Sequence, residues 1–424
     1  MKKARYILFF LVILLIGIPA IYNLPPVQEQ VGWRVAELFA RFKYTLSPPE
    51  EIIFVPREND IWATPVVTPQ TLPTIPRSIT STEILSTEQP GPSLLPTTTI
   101  NPIPKSMQLD GFRHEYQTWN NCGPATLAMA LSFWGWDGDQ RPIAAFTKPN
   151  ARDKNVMPDE LAAYVETEPE LQAIYRVGGE IGLLKRLLAD GFPIILEKGF
   201  ELPKEGWMGH YVLVTGYDDS KDRFILQDSY YGPNQVMGYK DLETYWRAFN
   251  FTYLVVYPLE RKDEIKTILG SHVDEEYNNR YAAQKASDEI YKVTGRDQFF
   301  AWFNRGTNLV RLQDYAGAAA AYDEAFALYP DIAKQERPWR MMWYQTGPYL
   351  AYYYAGRYQD VIKLATTTLE AMSEPVLEES YYWRALARIA LGDSQAAIQD
   401  LRSALKNHPG FEPAITQLQQ IGTP

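Results

Sequence analysis

The stretch "HEYQTWNNCGPATLAMALSFWGW", residues 114–136, decides how the middle of this chain folds. A polar, turn-forming segment gives way there to an almost wholly apolar run from Ala125 to Trp134. Pro124 suits the first turn of a helix and Gly135 suits its end, so we predict a helix that begins just past Cys122. Cys122 is the only cysteine in 424 residues. It could be an inert core residue, a metal ligand or a nucleophile.

A metal site is the weakest of these three interpretations. Such a site needs several thiolate or imidazole ligands at short spacing. The four histidines lie at positions 114, 210, 272 and 408, and none of them forms a ligand pair with Cys122 in the sequence. We therefore predict no metal and no cofactor.

The overall charge argues against one class of protein. The chain carries 41 Lys and Arg against 51 Asp and Glu, a formal net charge of −10, and shows no basic stripe. A nucleic-acid-binding protein needs a concentrated basic face to neutralise phosphates, so no nucleic-acid partner is predicted. A hydrophobic content of 46% supports packed domains, and the length predicts two or three of them.

The first residues predict export. Lys2, Lys3 and Arg5 precede an uninterrupted apolar run from Tyr6 to Tyr22, which is about the minimum length for a transmembrane helix. Because the positive flank stays in the cytoplasm, we predict a signal anchor at 1–23 and a single-pass protein of the cell membrane whose bulk is extracytoplasmic.

A cleaved signal peptide is the alternative, and it would make the protein secreted. The run is not followed by a clear small-x-small cleavage site, which favours the anchor. In either case the thiol is exported, and exported proteins use structural cysteines in pairs. Because Cys122 has no second cysteine to pair with, the sequence argues against a structural role for it.

Residues 24–106 are predicted to be a juxtamembrane segment and a linker. Apolar residues recur at helical spacing from Val31 to Tyr44, which predicts a short amphipathic helix near the membrane. From Thr64 to Pro104 the chain consists mainly of Pro, Thr and Ser. Such a segment favours extended conformations, and we interpret it as a spacer that holds the following domain away from the bilayer.

Residues 107–260 are predicted to form an α+β domain. Helical patterns at Pro158–Val165 and Glu180–Ala189 follow the helix after Cys122. The period then changes to that of strands, in "FPIILEKGF", "GHYVLVTGY", "RFILQDSYY" and "TYLVVYPLE". Helices followed by antiparallel strands are typical of the α+β class.

Residues 261–424 are predicted to be an all-α domain of tetratricopeptide repeats, with a non-repeating helical bundle as the alternative. The segment from Trp343 to Met372 fits the repeat poorly, although its second half keeps the turn and the second helix. The positions that carry the repeat pattern are Trp302, Gly306, Ala318, Tyr322, Ala325 and Pro330, and then Tyr381, Ala385, Ala397, Leu401, Ala404 and Pro409.

A nucleophilic thiol needs conditions that the sequence can provide. A helix N-terminus and a nearby imidazole both favour the thiolate, and Gly123 would let a substrate backbone approach closely. His210, which opens a strand, is the best candidate base. If the loop after that strand has an odd number of residues, Val212 lies opposite Asp228, and His210 and Asp228 share one face of the sheet. An even-length loop would place them on opposite faces. We predict that they hydrogen-bond, with Cys122 near the other ring nitrogen.

Three motifs resemble cysteine-peptidase family 39 of the papain-like superfamily, whose members include the peptidases that remove double-glycine leader peptides. The motifs are "YQTWNNCGPATLAMAL", "GHYVLVTGYDD" and "QDSYYG", and the resemblance extends over residues 107–260. It implies that Cys122 is the nucleophile, His210 the general base and acid, and Asp228 the residue that orients the imidazole. It also implies that Gln117 stabilises the oxyanion, although Gln117 precedes the cysteine by one residue fewer than is usual.

The sequence as a whole predicts a membrane-anchored extracytoplasmic cysteine peptidase or amidase. Its substrate would be a peptide or protein, and the repeats would recruit a protein or peptide partner on their concave face. Leader peptidases are usually fused to transporter segments and face the cytoplasm, so their substrate is not carried over to this chain. A non-catalytic binding scaffold and an acyl transferase with the same three residues are the alternatives.

Overall fold

An α+β unit is followed by a helical region in the computed structural model of this protein. The predicted anchor at 1–23 and most of the Pro/Thr/Ser-rich segment lie outside the described residues. Within the described part of the chain, no helix has both the length and the apolar character that a bilayer span requires. The described residues are 33–56, 102–150, 152–202 and 205–422.

The α+β unit has its helices on both faces of one antiparallel sheet. In the described residues upstream of this unit, the chain forms the helix α1 (Trp33–Leu46). The elements of the unit are β1 (Ser106–Gln108), α2 (Cys122–Phe133), α3 (Gln140–Thr147), α4 (Pro158–Val165), β2 (Leu171–Arg176), α5 (Ile181–Ala189), β3 (Ile194–Leu202), β4 (Gly206–Asp218), β5 (Arg223–Asp228), β6 (Gly232–Gly238), α6 (Tyr239–Arg247) and β7 (Tyr253–Pro258).

Among the described residues, the sheet has seven strands: six in the order β2-β7-β3-β4-β5-β6, and β1, which pairs with the C-terminal end of β4. Helices α2, α3 and α4 share one apolar core with one face of the sheet, and α5 and α6 share another core with the opposite face. The four predicted strands and the three predicted helices of this unit are confirmed. The long central strand β4 therefore lies between the two cores.

The helical region consists mainly of antiparallel helix pairs. The helix that leads into it, α7, packs on the α5 side of the sheet. The elements are α7 (Lys262–Leu269), α8 (Glu275–Ile290), α9 (Arg296–Arg311), α10 (Tyr315–Leu328), α11 (Met341–Tyr344), α12 (Gly347–Tyr354), α13 (Tyr358–Ala371), α14 (Glu378–Ala390), α15 (Ser394–Asn407) and α16 (Glu412–Gln420).

Small residues at positions of the repeat pattern hold the paired helices close together. A Cβ added at Gly306 of α9 would lie 2.7 Å from the ring of Tyr322 on α10. Ala385 of α14 and Leu401 of α15, at the corresponding positions of the second repeat, are fully buried in one apolar cluster. Between these pairs, where the pattern is poor, the first helix is divided into the short α11 and α12.

Residues upstream of the α+β unit pack against the helical region. Phe54 is buried and its ring lies 5.0 Å from that of Phe326. Tyr44 of α1 lies 5.4 Å from Trp339, also measured between ring centroids. The sequence assigns these residues to a juxtamembrane segment and linker, but their aromatic side chains give them a place in the folded body.

Candidate active site

Cys122 lies in the first turn of α2, where the sequence predicts a helix N-terminus. The unpaired N–H groups of that turn and the helix dipole favour a negative charge at this position. The side chain is half-buried and makes no disulfide. Asn120 has a φ of 55°, a left-handed conformation that asparagine tolerates well, and it turns the chain into the helix.

A buried glutamine fixes the loop that leads to Cys122. The side-chain oxygen of Gln140 accepts hydrogen bonds from the Thr118 N–H at 2.8 Å and the Asn121 side chain at 3.1 Å. Its side-chain nitrogen donates to Glu115 at 2.7 Å and to the Tyr116 carbonyl at 2.8 Å. Sequence reasoning missed Gln140, because it lies in a helix that no apolar pattern announced.

His210 and Asp228 are hydrogen-bonded, as predicted. Nε2 of His210 lies 3.0 Å from Oδ1 of Asp228, and both residues are buried. The same carboxylate oxygen accepts the backbone N–H groups of Tyr230 at 2.8 Å and Tyr231 at 3.0 Å. Three donors therefore hold this carboxylate in place. Its hydrogen bond with Nε2 leaves Nδ1 of the imidazole for Cys122, and Cys122 and His210 each shift the pKa of the other.

The route to this pairing differs from the predicted one. Asp218 pairs with Arg223, so the loop between them has four residues and not an odd number. A β-bulge at Thr215 then shifts the register by one, and Leu213 lies opposite Gln227. Continuing that register sets Val212 opposite Asp228. The expected odd-length loop is wrong, but the bulge compensates for it, and the two side chains share a face.

The electrostatics of the three residues favour a thiolate–imidazolium pair. Burial raises the pKa of the Cys122 thiol, but the hydrogen bond and charge of His210 outweigh burial, and the pKa lies below its ordinary value. Burial lowers the pKa of His210, but Asp228 and Cys122 reverse this effect and raise it. Burial opposes the ionised form of Asp228 as well, yet its hydrogen bond with His210 and the two backbone N–H groups lower its pKa to about 2.

Aromatic and basic side chains surround the imidazole. The ring of Phe200 is stacked on that of His210 with a centroid distance of 4.6 Å. Lys198 is the cross-strand neighbour of His210 and is buried, which lowers its pKa to about 8. Lys148, also buried, favours the ionised form of Cys122. Sequence reasoning missed these three residues, because their strand and helix patterns carry no signal for a site.

The structure places Gln117 next to the Asp228 loop. Its backbone N–H donates to the Ser229 carbonyl at 2.9 Å, and the Ser229 hydroxyl donates to its side-chain oxygen at 2.9 Å. The side-chain oxygen is thus occupied, and Nε2 is the group that can donate to an oxyanion. The role of Gln117 in stabilising the oxyanion stays a prediction. Its hydrogen bonds to Ser229 hold it beside the loop that follows Asp228.

The reason for a glycine at position 123 differs from the one inferred. Gly123 is buried in α2, and a Cβ there would lie 3.3 Å from the ring of Tyr211 on β4. The Tyr211 hydroxyl in turn donates to the Val156 carbonyl at 2.9 Å. Close packing of helix against strand therefore accounts for Gly123, without any approach by a substrate.

The helical region holds the part of β4 that carries His210. Arg340 is buried, and its guanidinium donates to the carbonyls of Glu205 and Trp207, both at 2.7 Å. A Cβ at Gly209 would lie 3.0 Å from the ring of Tyr344 on α11. The residues just before the histidine are therefore supported from outside the sheet.

Comparison with known families agrees with this geometry. Residues 100–254 match the Peptidase_C39 like family. Two tetratricopeptide-repeat models match residues 299–332 and 379–410. The α+β unit is similar to this family, and we call it the C39-like domain for that reason; tetratricopeptide repeats follow it.

The C39-like domain is also similar to solved structures. One is a C39-like peptidase from Bacillus anthracis, at 16% identity and a TM-score of 0.30, with 36% of this chain and 98% of that chain covered. Another is xylellain, a cysteine protease from Xylella fastidiosa, at 17% identity and a TM-score of 0.30, with 38% and 88% covered. A search of curated proteins finds no match.

Proposed function

We propose that this protein is a membrane-anchored extracytoplasmic cysteine peptidase or amidase that acts through Cys122, His210 and Asp228. One observation carries the proposal: the imidazole of His210 lies between the Asp228 carboxylate, at 3.0 Å, and a thiol in the first turn of a helix. A general base, its orienting group and an activated nucleophile require this arrangement.

In acylation, the Cys122 thiolate attacks the amide carbonyl carbon, and the carbonyl π electrons move to the oxygen. The Cys122 backbone N–H and the Gln117 side chain stabilise the oxyanion. When the tetrahedral intermediate collapses, the C–N bond breaks, the leaving amine takes the proton of His210, and a thioester remains.

In deacylation, His210 removes a proton from water, and the hydroxide attacks the thioester carbonyl. The C–S bond breaks, the acid is released, and the thiolate–imidazolium pair is restored. Asp228 stays ionised throughout and keeps the imidazole oriented. An amine that reached the thioester before water would give acyl transfer instead, and this is the second candidate reaction.

Anchoring and partner recruitment belong to the same proposal. The apolar run Tyr6–Tyr22 with its basic N-terminal flank supports an anchor that leaves the C39-like domain outside the cytoplasm. The repeats support recruitment of a protein or peptide partner, which would bring substrate to the cleft.

The test is cleavage of a peptide library by the full chain in detergent, with Cys122→Ala as the control and mass spectrometry as the measurement. We expect products with the wild type and none with the variant. If the two proteins give the same products or no products, the peptidase proposal is wrong and a binding scaffold is favoured. Addition of a competing amine separates the reactions, because only acyl transfer yields amine adducts.

A further inference from the structure

The outward face of α1 is apolar. Leu38, Phe39, Phe42 and Leu46 have 67%, 69%, 66% and 72% of their surface exposed. Since successive residues of a helix are about 100° apart, these four side chains and the half-buried Val35 all fall within an arc of roughly 100°. The exposed residues therefore form one continuous apolar stripe, which we call the α1 stripe.

The opposite face of α1 is the one that contacts the protein. Tyr44 packs against Trp339, Lys43 donates to the Met372 carbonyl, and Arg41 pairs with Glu205 at 3.2 Å. A surface helix of a soluble protein normally turns its apolar stripe to the core and its polar face to water. Helix α1 is docked the other way round, so its stripe points away from the folded body.

We propose that the α1 stripe lies in the interface of the bilayer that holds the predicted anchor. The apolar run ends at Tyr22, and the intervening residues before Trp33 can span at most about 36 Å. An anchored chain therefore keeps α1 close to the membrane surface. Helices with one apolar face bind bilayers by burying that face at the boundary between headgroups and acyl chains.

The small size of the α1 stripe favours a bilayer over a second copy of this chain. The net charge of −10 gives no general attraction to anionic lipid, so burial of apolar side chains has to provide the contact. The stripe consists of four exposed side chains on one 14-residue helix, whereas each side of a stable protein interface contributes roughly 20–30 residues. Stable protein interfaces bury about 800 Å² on each partner.

The inference rests on the proposed anchoring and extends it to the orientation of the active site. Trp339, which packs on Tyr44 of α1, is followed by Arg340, which holds the carbonyls of the strand that carries His210. A membrane contact through the α1 stripe would therefore fix how the candidate active site faces the bilayer. Substrates at a set height above the membrane would be favoured.

The lone cysteine allows a direct test in the full chain. In a Cys122→Ala background, Phe42→Cys and Leu46→Cys place an environment-sensitive fluorophore on the α1 stripe. Tyr291→Cys, at a site 87% exposed and remote in sequence, is the matched control. Each labelled protein is reconstituted into vesicles of phosphatidylethanolamine and phosphatidylglycerol, with and without brominated acyl chains.

We expect labels at 42 and 46 to show blue-shifted emission and to lose fluorescence in brominated vesicles, while the label at 291 responds only to aqueous iodide. If iodide quenches the labels at 42 and 46 as strongly as the label at 291 in vesicle-bound protein, the inference about the α1 stripe is wrong, but the anchoring proposal still stands. Protection from both quenchers also overturns it, since protein then covers the stripe. Failure of the chain to bind vesicles overturns the anchoring proposal as well.

Discussion

The repeats and the C39-like domain reach their packing by different means. In the repeats, Gly306 meets Tyr322 on the very next helix, so a short sequence spacing determines the contact. In the C39-like domain, Cys122 belongs to a helix far upstream of the other two residues, and His210 and Asp228, on consecutive strands, share a face only if strand register and loop length agree. Local patterns therefore predict the first region closely, while the second depends on long-range geometry.

The largest expected effect comes from removing the base of the site. His210→Ala takes away the hydrogen bond and the charge of His210, so that only Lys148 and the Tyr211 backbone still oppose burial of the thiol, and the pKa of Cys122 rises. The ordinary pKa of a cysteine thiol is about 8.5. Below that pH, we expect alkylation of Cys122 to be fast in the wild type and slow in the variant. Amide cleavage should fall by about 10⁴-fold or more.

The pH profile follows from the same two groups. Cys122 has a lowered pKa and His210 a raised one, so the ion pair forms as pH rises through the thiol value and is lost as pH rises through the imidazole value. Cleavage should therefore be bell-shaped against pH. A wild-type thiol that titrates near 8.5 and ignores His210→Ala would contradict the proposed nucleophile.

A smaller loss is expected at the oxyanion site. Gln117→Ala removes the Nε2 donor and should lower kcat by about 10²- to 10³-fold with little change in KM. Ser229→Ala is the matched control, because it frees the Gln117 side-chain oxygen but leaves Nε2 in place. Equal kcat values for Gln117→Ala and the wild type would mean that other donors hold the oxyanion.

The two regions are not independent, and Arg340 tests how far they are coupled. Arg340→Met leaves the carbonyls of Glu205 and Trp207 without their donor and should lower kcat by about 10- to 100-fold, because the strand before His210 loses its support. Arg337 is the matched control: it is equally buried and donates to carbonyls, but it makes these contacts away from β4.

Both arginine variants should lose about 2–4 kcal/mol of stability, since each leaves buried carbonyl groups unpaired. Urea unfolding measures this cost, and steady-state kinetics at low temperature measures kcat in the folded protein. If Arg337→Met lowers kcat as much as Arg340→Met does, the effect reflects general loosening of the fold rather than support of the catalytic strand.

The smallest expected effect concerns repeat packing alone. Gly306→Ala forces a Cβ to within 2.7 Å of the Tyr322 ring and should destabilise the protein by about 1–3 kcal/mol. Gly182→Ala in α5, where an added Cβ meets nothing within 4 Å, should instead stabilise it by about 0.5–1 kcal/mol. The midpoints of urea unfolding compare the two variants. A stabilising Gly306→Ala would refute the close approach.

Much of the fold could be predicted because its elements have strong periodicity. The strands that the sequence missed do not: β6 reads "GPNQVMG" at the sheet edge and β1 has only three residues. Every residue of β2 is half-buried, so buried and exposed positions do not alternate along this strand. Helix α6 is strongly amphipathic but short, and it follows directly on β6.

The sequence predicted which residues form the candidate site, but not the bulge and the hydrogen bonds that hold them in position. His210 and Asp228 are found on one face because a bulge at Thr215 corrects an even-length loop, and nothing in the sequence announces that bulge. The contacts of Gln140 with the cysteine loop and of Arg340 with β4 join segments far apart in the chain. No periodic pattern contains such pairings, because they depend on tertiary packing.

The bulge at Thr215 also makes the tip of this hairpin a place for protein engineering. The bulge lies between the loop Asp219–Asp222 and the pair Leu213–Gln227. The strand register around His210 and Asp228 is therefore fixed by residues between the loop and the site. An affinity tag inserted after Ser220 would lengthen the tip while His210 and Asp228 kept their relation. Deletion of Thr215 itself would remove the bulge but keep Val214 opposite Leu226, so the two side chains would still share a face of the sheet.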